Sequence, residues 1–196
     1  EDLSRREETE EARESFREAA DLFAEAEKSI KAVLGKTESR DEKENAAELV
    51  KASGIRREYC LGRTALEEAR ILDRQGDHDA SSRNYGSAAD SFHKMIGSME
   101  DESDRRELRP IASLCKAWEK VTRAEAEASP ELYLEASRLF DEAKEQSADE
   151  KSRVLALGHS YFCRALEAGT RFEATRDSAT YSATKTCVEA AMSQYI

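Results

Sequence analysis

The chain has little of what interrupts a helix: 2 Pro and 8 Gly in 196 residues. Val and Ile are scattered singly and never alternate over a run, so a sheet of any size would lack a hydrophobic face. No apolar run approaches the roughly 20 residues that a membrane span requires, and no signal-peptide pattern opens the chain. The expectation is a soluble, cytoplasmic protein. Starting at Glu1 without a Met and stopping at Ile196 within a helical pattern, it is expected to be a piece of something longer.

Chemistry-bearing motifs are scarce too. None of the glycines stands in a Gly-x-Gly-x-x-Gly or Gly-x-x-x-x-Gly-Lys frame, which excludes a phosphate-cradling loop of either kind. Cys60, Cys115, Cys163 and Cys187 include no Cys-x-x-Cys pair and suggest no disulfide framework, so they read as reduced, small core residues. The three histidines, His78, His93 and His159, lie in unrelated parts of the chain, far from forming a nucleophile and base. His159 and Cys163 have the i, i+4 spacing of half a metal site, but no nearby motif supplies the remaining ligands. Asp90-x-x-His93 resembles half of a di-iron bundle motif and has no second copy. Asp77-His78-Asp79 offers cation ligands in principle, yet at a helical turn its acids are better read as caps. Neither metal nor cofactor is expected, and a helical-bundle metalloenzyme is the weakest of the functional readings.

A formal net charge of -11 argues against nucleic acid, which requires clustered cations that release counterions. Basic pairs such as Arg5-Arg6, Arg56-Arg57 and Arg105-Arg106 sit among acids at salt-bridge spacing and read as solvated helix faces.

What the chain has in abundance is helix formers: Ala, Glu, Leu, Lys and Arg dominate, and 37% of residues are charged. It also repeats itself. Tyr85, Tyr133 and Tyr181 stand 48 residues apart, and the same offset carries Ala69 onto Ala117 and Ala165, and Cys115 onto Cys163. After each aromatic comes a small residue at i+3 and apolar ones at i+7 and i+10, which is one helix face. The copies are Tyr85, Ala88, Phe92, Met95, then Tyr133, Ala136, Phe140, Ala143, and more loosely Tyr181, Thr184, Val188, Ala191. Phe16, Ala19, Phe23 and Ala26 repeat the code near the start. Trp118, Tyr161, Phe162 and Phe172, at helical spacing, read as core.

Punctuation completes the pattern. Gly76 suits the left-handed residue after a helix and Asp77 caps the next. Ser129-Pro130-Glu131 reads as cap, first helical position and first-turn acid. Together they predict an all-α fold of seven helices, at about 3–34, 43–75, 78–99, 104–128, 130–146, 149–173 and 177–195, with Gly54 a candidate break in the second. The repeat-like units cover about 1–52, 53–100, 101–148 and 149–196 of a single domain.

Arg74-Gln75-Gly76-Asp77-His78-Asp79 resembles the inter-helix turn of the tetratricopeptide repeat family. The segments around Tyr85-Ala88, Tyr133-Ala136-Phe140 and Tyr181, and Leu155-Ala156-Leu157-Gly158-His159-Ser160-Tyr161, resemble its helices. The period here is longer than the family's roughly 34 residues. The nearer analogy is thus to long-helix, tetratricopeptide-like adaptors such as the soluble NSF attachment proteins. The resemblance implies a right-handed superhelical array of antiparallel hairpins. The family's peptide-clamping Lys and Asn positions find no counterparts in this chain.

Stacked repeats present an extended surface suited to helices or peptides. The expected function is therefore a scaffold or adaptor binding a protein or peptide partner, with no nucleic acid and no membrane insertion. Arg63, Lys116, Lys120, Arg164 and Arg171, on the first helix of each hairpin, are the candidate contacts for an acidic segment or terminal carboxylate. The alternative is a regulatory or self-associating module of a larger signalling protein, forming a homo-oligomer through its terminal helices.

Overall fold

The computed structural model describes residues 2–36 and 38–195. It is all-α, with helices α1 (Asp2–Leu34), α2 (Arg40–Arg74), α3 (His78–Ser98), α4 (Glu102–Glu127), α5 (Pro130–Gln146), α6 (Glu150–Thr175) and α7 (Ser178–Tyr195). Each packs mainly against its predecessor and its successor, an arrangement compatible with a helical repeat. Connections of a few residues make neighbours antiparallel.

The helix ends follow from their sequences. At Gly76 φ is +79°, a conformation glycine adopts without strain, and Asp77 accepts a hydrogen bond from the Ala80 amide at 3.0 Å. Ser129 accepts from the Leu132 amide at 3.4 Å, with Pro130 at the first helical position, where its missing N–H costs nothing. Two other ends are closed by residues that carry no such signal, Ala128 at φ 51° and Arg176 at φ 56°. Gly54 does not break α2, which continues through it. A glycine weakens a helix interior by only about 0.5–1 kcal/mol, and α2 packs against both α1 and α3.

The repeated code is the core. Tyr85, Ala88, Phe92 and Met95 of α3 are buried with Leu66 and Ala69 of α2 and Cys115 of α4. Tyr133, Ala136 and Phe140 of α5 are buried with Ala117 and Val121 of α4 and Cys163 of α6. Trp118 packs against both clusters. Its indole stacks on Tyr85 at 6.3 Å and meets Phe140 edge-on at 5.4 Å, which joins the two cores into one. Ala69, Ala117 and Ala165 are all buried, since only a small side chain permits the close approach of helices at those positions. Gly62 serves the same end: a Cβ there would lie 3.1 Å from the Phe92 ring.

In the terminal helices the code is only half used. Tyr181 rests on Phe172 of α6 at 5.7 Å between ring centres yet is 59% exposed, Val188 is 42% exposed, and Ala191 is buried. At the other end Phe16 meets Tyr59 of α2 edge-on and is half-buried.

Candidate functional site

All five expected cationic contacts lie on α2, α4 and α6, and each is held by a different acid of the chain. The Arg63 guanidinium bonds Glu67 at 3.2 Å and Tyr59 Oη at 3.3 Å, and sits 4.6 Å over the Phe16 ring. Glu67 is almost completely buried and also receives Arg70, 3.0 Å from both of its oxygens. Two guanidiniums on one shielded carboxylate, with an aromatic face from α1, make Arg63 a joint between α1 and α2.

Lys116 pairs with Glu119 at 2.6 Å within α4, and Lys120 reaches Glu135 of α5 at 3.0 Å. Arg164 bonds Asp141 of α5 at 2.6 Å, its guanidinium 5.7 Å from the Tyr161 ring centre. Arg171 pairs with Glu167 on its own helix and with Glu131 of α5 at 3.3 Å. Lys120, Arg164 and Arg171 thus link adjacent helices. Solvent-accessible pairs of this kind are worth about 0–1 kcal/mol each.

Of the five, Lys116 stands in a definite recess. It lines a groove of about 560 Å³ between α3 and α4 with Asp79, Arg83, Asp90, Glu119 and Arg123. Gly86 leaves room on the α3 side, where a Cβ would lie 3.4 Å from the Glu119 carboxylate. The lining mixes both signs of charge and suits a polar segment of zwitterionic character.

A second kind of surface is apolar. Tyr181, Val188 and Met192 of α7 are exposed, as are Leu155 and Phe162 of α6. Phe162 therefore departs from the core role expected of it, whereas Trp118 fills that role. At the opposite end Ile30, Val33, Ala46 and Leu49 line a largely apolar recess between α1 and α2.

Neither motif weighed for metal through His159 and Cys163 or through Asp90 and His93 assembles a ligand set. Cys163 is buried, and burial pushes its thiol up to about 12. His159 lies edge-on to Trp118 at 5.1 Å and 5.2 Å from Phe140, and burial lowers its pKa so that the neutral ring is favoured. His93 Nδ1 is 2.8 Å from the Ala89 carbonyl oxygen. Cys115 likewise is pushed up to about 12 by burial, so these two thiols are packing groups and poor nucleophiles.

Among the described residues, one other set of metal-competent side chains converges: Asp73 at the end of α2, His78 opening α3, and Glu125 near the end of α4. His78 Nδ1 lies 3.4 Å from Asp73 Oδ1 and 3.1 Å from Glu125 Oε2. Burial, and then the charge of Asp73, raise the Glu125 pKa, with His78 opposing them. Sequence reading reaches His78 and its capping neighbour Asp77 but misses this grouping. Asp73 sits on the far side of the turn, and Glu125 arrives only when α4 packs on α3.

Compared with known proteins, the chain matches no family model, no curated protein and no solved structure. Among the described residues no helix is long and apolar enough to cross a membrane.

Proposed function

We propose that the chain is a protein-interaction scaffold of the long-helix, tetratricopeptide-like kind, and that its principal contact is the addition of a partner helix to the open face of α7. One observation carries this reading. Tyr181 and Val188 are exposed at positions whose counterparts Tyr85 and Phe92, and Tyr133 and Phe140, are buried between two flanking helices. A face coded like its covered counterparts, with one flank unpaired, favours an apolar helix of matching spacing. The α3–α4 groove with Lys116 is a secondary, polar contact in this proposal, and the setting is cytoplasmic.

The test is a pair of substitutions on the open face, Tyr181→Glu with Val188→Glu. Both side chains are exposed, so the melting temperature is expected to change little while affinity for the partner helix falls by at least about tenfold. Unchanged affinity would remove α7 from the proposal. Charge reversal at Lys116 then checks the groove, which is expected to alter salt dependence more than affinity.

The second reading, self-association, is favoured by apolar surface at both ends, Val33 and Leu49 at one and Tyr181 and Met192 at the other. Sedimentation of the wild type and of the Tyr181→Glu, Val188→Glu variant separates the two. Concentration-dependent assembly abolished by the variant supports self-association, and a monomer throughout supports a foreign partner.

A further inference from the structure

We propose that Asp73, His78 and Glu125 form a binding site for a single divalent transition ion of the zinc class, clasping the ends of α2, α3 and α4.

The geometry is that of a preformed ligand set. The three donor atoms all lie within 4.8 Å of one another. Zinc bonds nitrogen and oxygen at about 2.0–2.2 Å, so neighbouring ligand atoms in a tetrahedral shell stand roughly 3.3–3.6 Å apart. The Nδ1–Oδ1 separation of 3.4 Å falls in that range, and the Nδ1–Oε2 separation of 3.1 Å reaches it with a small side-chain shift.

The imidazole supplies the nitrogen donor of the set. His78 Nδ1 is covered from solvent with the two carboxylate oxygens at ion-pair distance, while the side chain as a whole keeps 36% of its surface. An ion on the nitrogen lone pair would draw all three groups to one centre. Charge argues the same way. Among the described residues neither Asp73 nor Glu125 pairs with a lysine or arginine. Arg70, one turn before Asp73, is committed to Glu67, and Arg123, two residues before Glu125, is committed to Glu127.

The fold builds the site deliberately. Gly76, with φ +79°, turns the chain sharply enough to set Asp73 and His78 face to face, while Asp77 spends its side chain on the Ala80 amide and stays out of the set. The Asp73 and Glu125 side chains retain about a third of their surface, 34% and 33%, leaving room for water at the remaining coordination positions. One imidazole with two carboxylates selects borderline ions over magnesium and calcium, which take oxygen donors.

The experiment is calorimetric titration of the whole chain with zinc chloride after chelator treatment, with magnesium chloride in parallel. One zinc per chain is expected, a melting temperature raised by several degrees, and no response to magnesium. Asp73→Asn with Glu125→Gln, and separately His78→Gln, are expected to weaken zinc by more than the roughly 10–100-fold that an outer-shell partner is worth, while melting cooperatively in chelator. Cobalt substitution adds a readout that folding defects do not mimic: ligand-field bands without a thiolate charge-transfer band. Absence of zinc binding in the wild type, binding that survives both variants, or a thiolate band would each overturn the site.

Discussion

At the scale of single residues, the informative side chains are those whose surroundings oppose their ordinary chemistry. His159 is wedged between Trp118 and Phe140 on the joint between the two cores, and burial lowers its pKa. The unfolded chain then binds a proton near the ordinary imidazole value of about 6.5, while the folded chain resists doing so. Stability contributed by the neutral ring is fully present above that value and falls away as pH drops through the window below it. Urea unfolding at pH 7.5 and at pH 5.5 is expected to show a loss on acidification that His159→Phe diminishes. An equal loss in the variant would assign the acid sensitivity elsewhere. In the sequence His159 is legible only through its i, i+4 spacing to Cys163, where the want of further ligands leaves packing as the reading, and its seat between two rings emerges from the fold. The grip of Arg63 and Arg70 on Glu67 is half legible: both spacings are visible in sequence, but that the carboxylate is almost completely buried emerges only with the packed helices.

At the scale of elements, all seven helices are legible in the sequence to within three residues at either end. Where a cap is legible it is local chemistry, Asp77 and Ser129 each accepting from the amide three residues ahead, whereas the caps Ser39, Asp101 and Asp149 are not singled out by the sequence and emerge with the structure. The left-handed ends at Ala128 and Arg176 were not legible, since the packing of adjoining helices imposes them against the residues' own preference. Gly54 departs from expectation for the converse reason, a local weakness overruled by neighbours. Two glycines of α2 now make a matched comparison. At Gly54 a Cβ meets nothing within 4 Å, and at Gly62 it meets Phe92 at 3.1 Å. Gly54→Ala is expected to stabilise by about 0.4–1 kcal/mol. Gly62→Ala is expected to destabilise by about 1–3 kcal/mol through crowding of a buried ring. Denaturant midpoints for the two variants check both signs, and equal shifts would mean that α2 does not press on Phe92.

At the scale of the whole molecule, the 48-residue period made the row of helices legible before any coordinate. A period says which faces are alike and nothing about which are covered, so the open flank of α7 emerges only from the packed structure. The candidate contacts were harder. Arg63, Lys116, Lys120, Arg164 and Arg171 stand out in the sequence by sign and helix; the pairs of Arg63 with Glu67 and Lys116 with Glu119 lie within one helix, whereas those of Lys120, Arg164 and Arg171 with Glu135, Asp141 and Glu131 are a property of the assembled row. In such a row each unit is supported mainly by the next, and stability is a sum of units and the interfaces between them.

The position of Trp118 gives that statement an optical form. It is the sole indole of the chain, seated where the α3 and α5 cores meet, whereas tyrosines lie both in the middle, at 85 and 133, and near the far end, at 181. Excitation at the red edge of the absorption band therefore watches the centre alone, and far-ultraviolet dichroism watches every helix at once. On heating, the dichroic signal is expected to begin falling before the indole emission shifts to longer wavelength, as α1 and α7 melt inward from ends held on one side. Coincident curves would mean that the row unfolds as a single cooperative body. A lag of the indole behind the helices would instead time the passage of disorder from the ends to the middle of the chain.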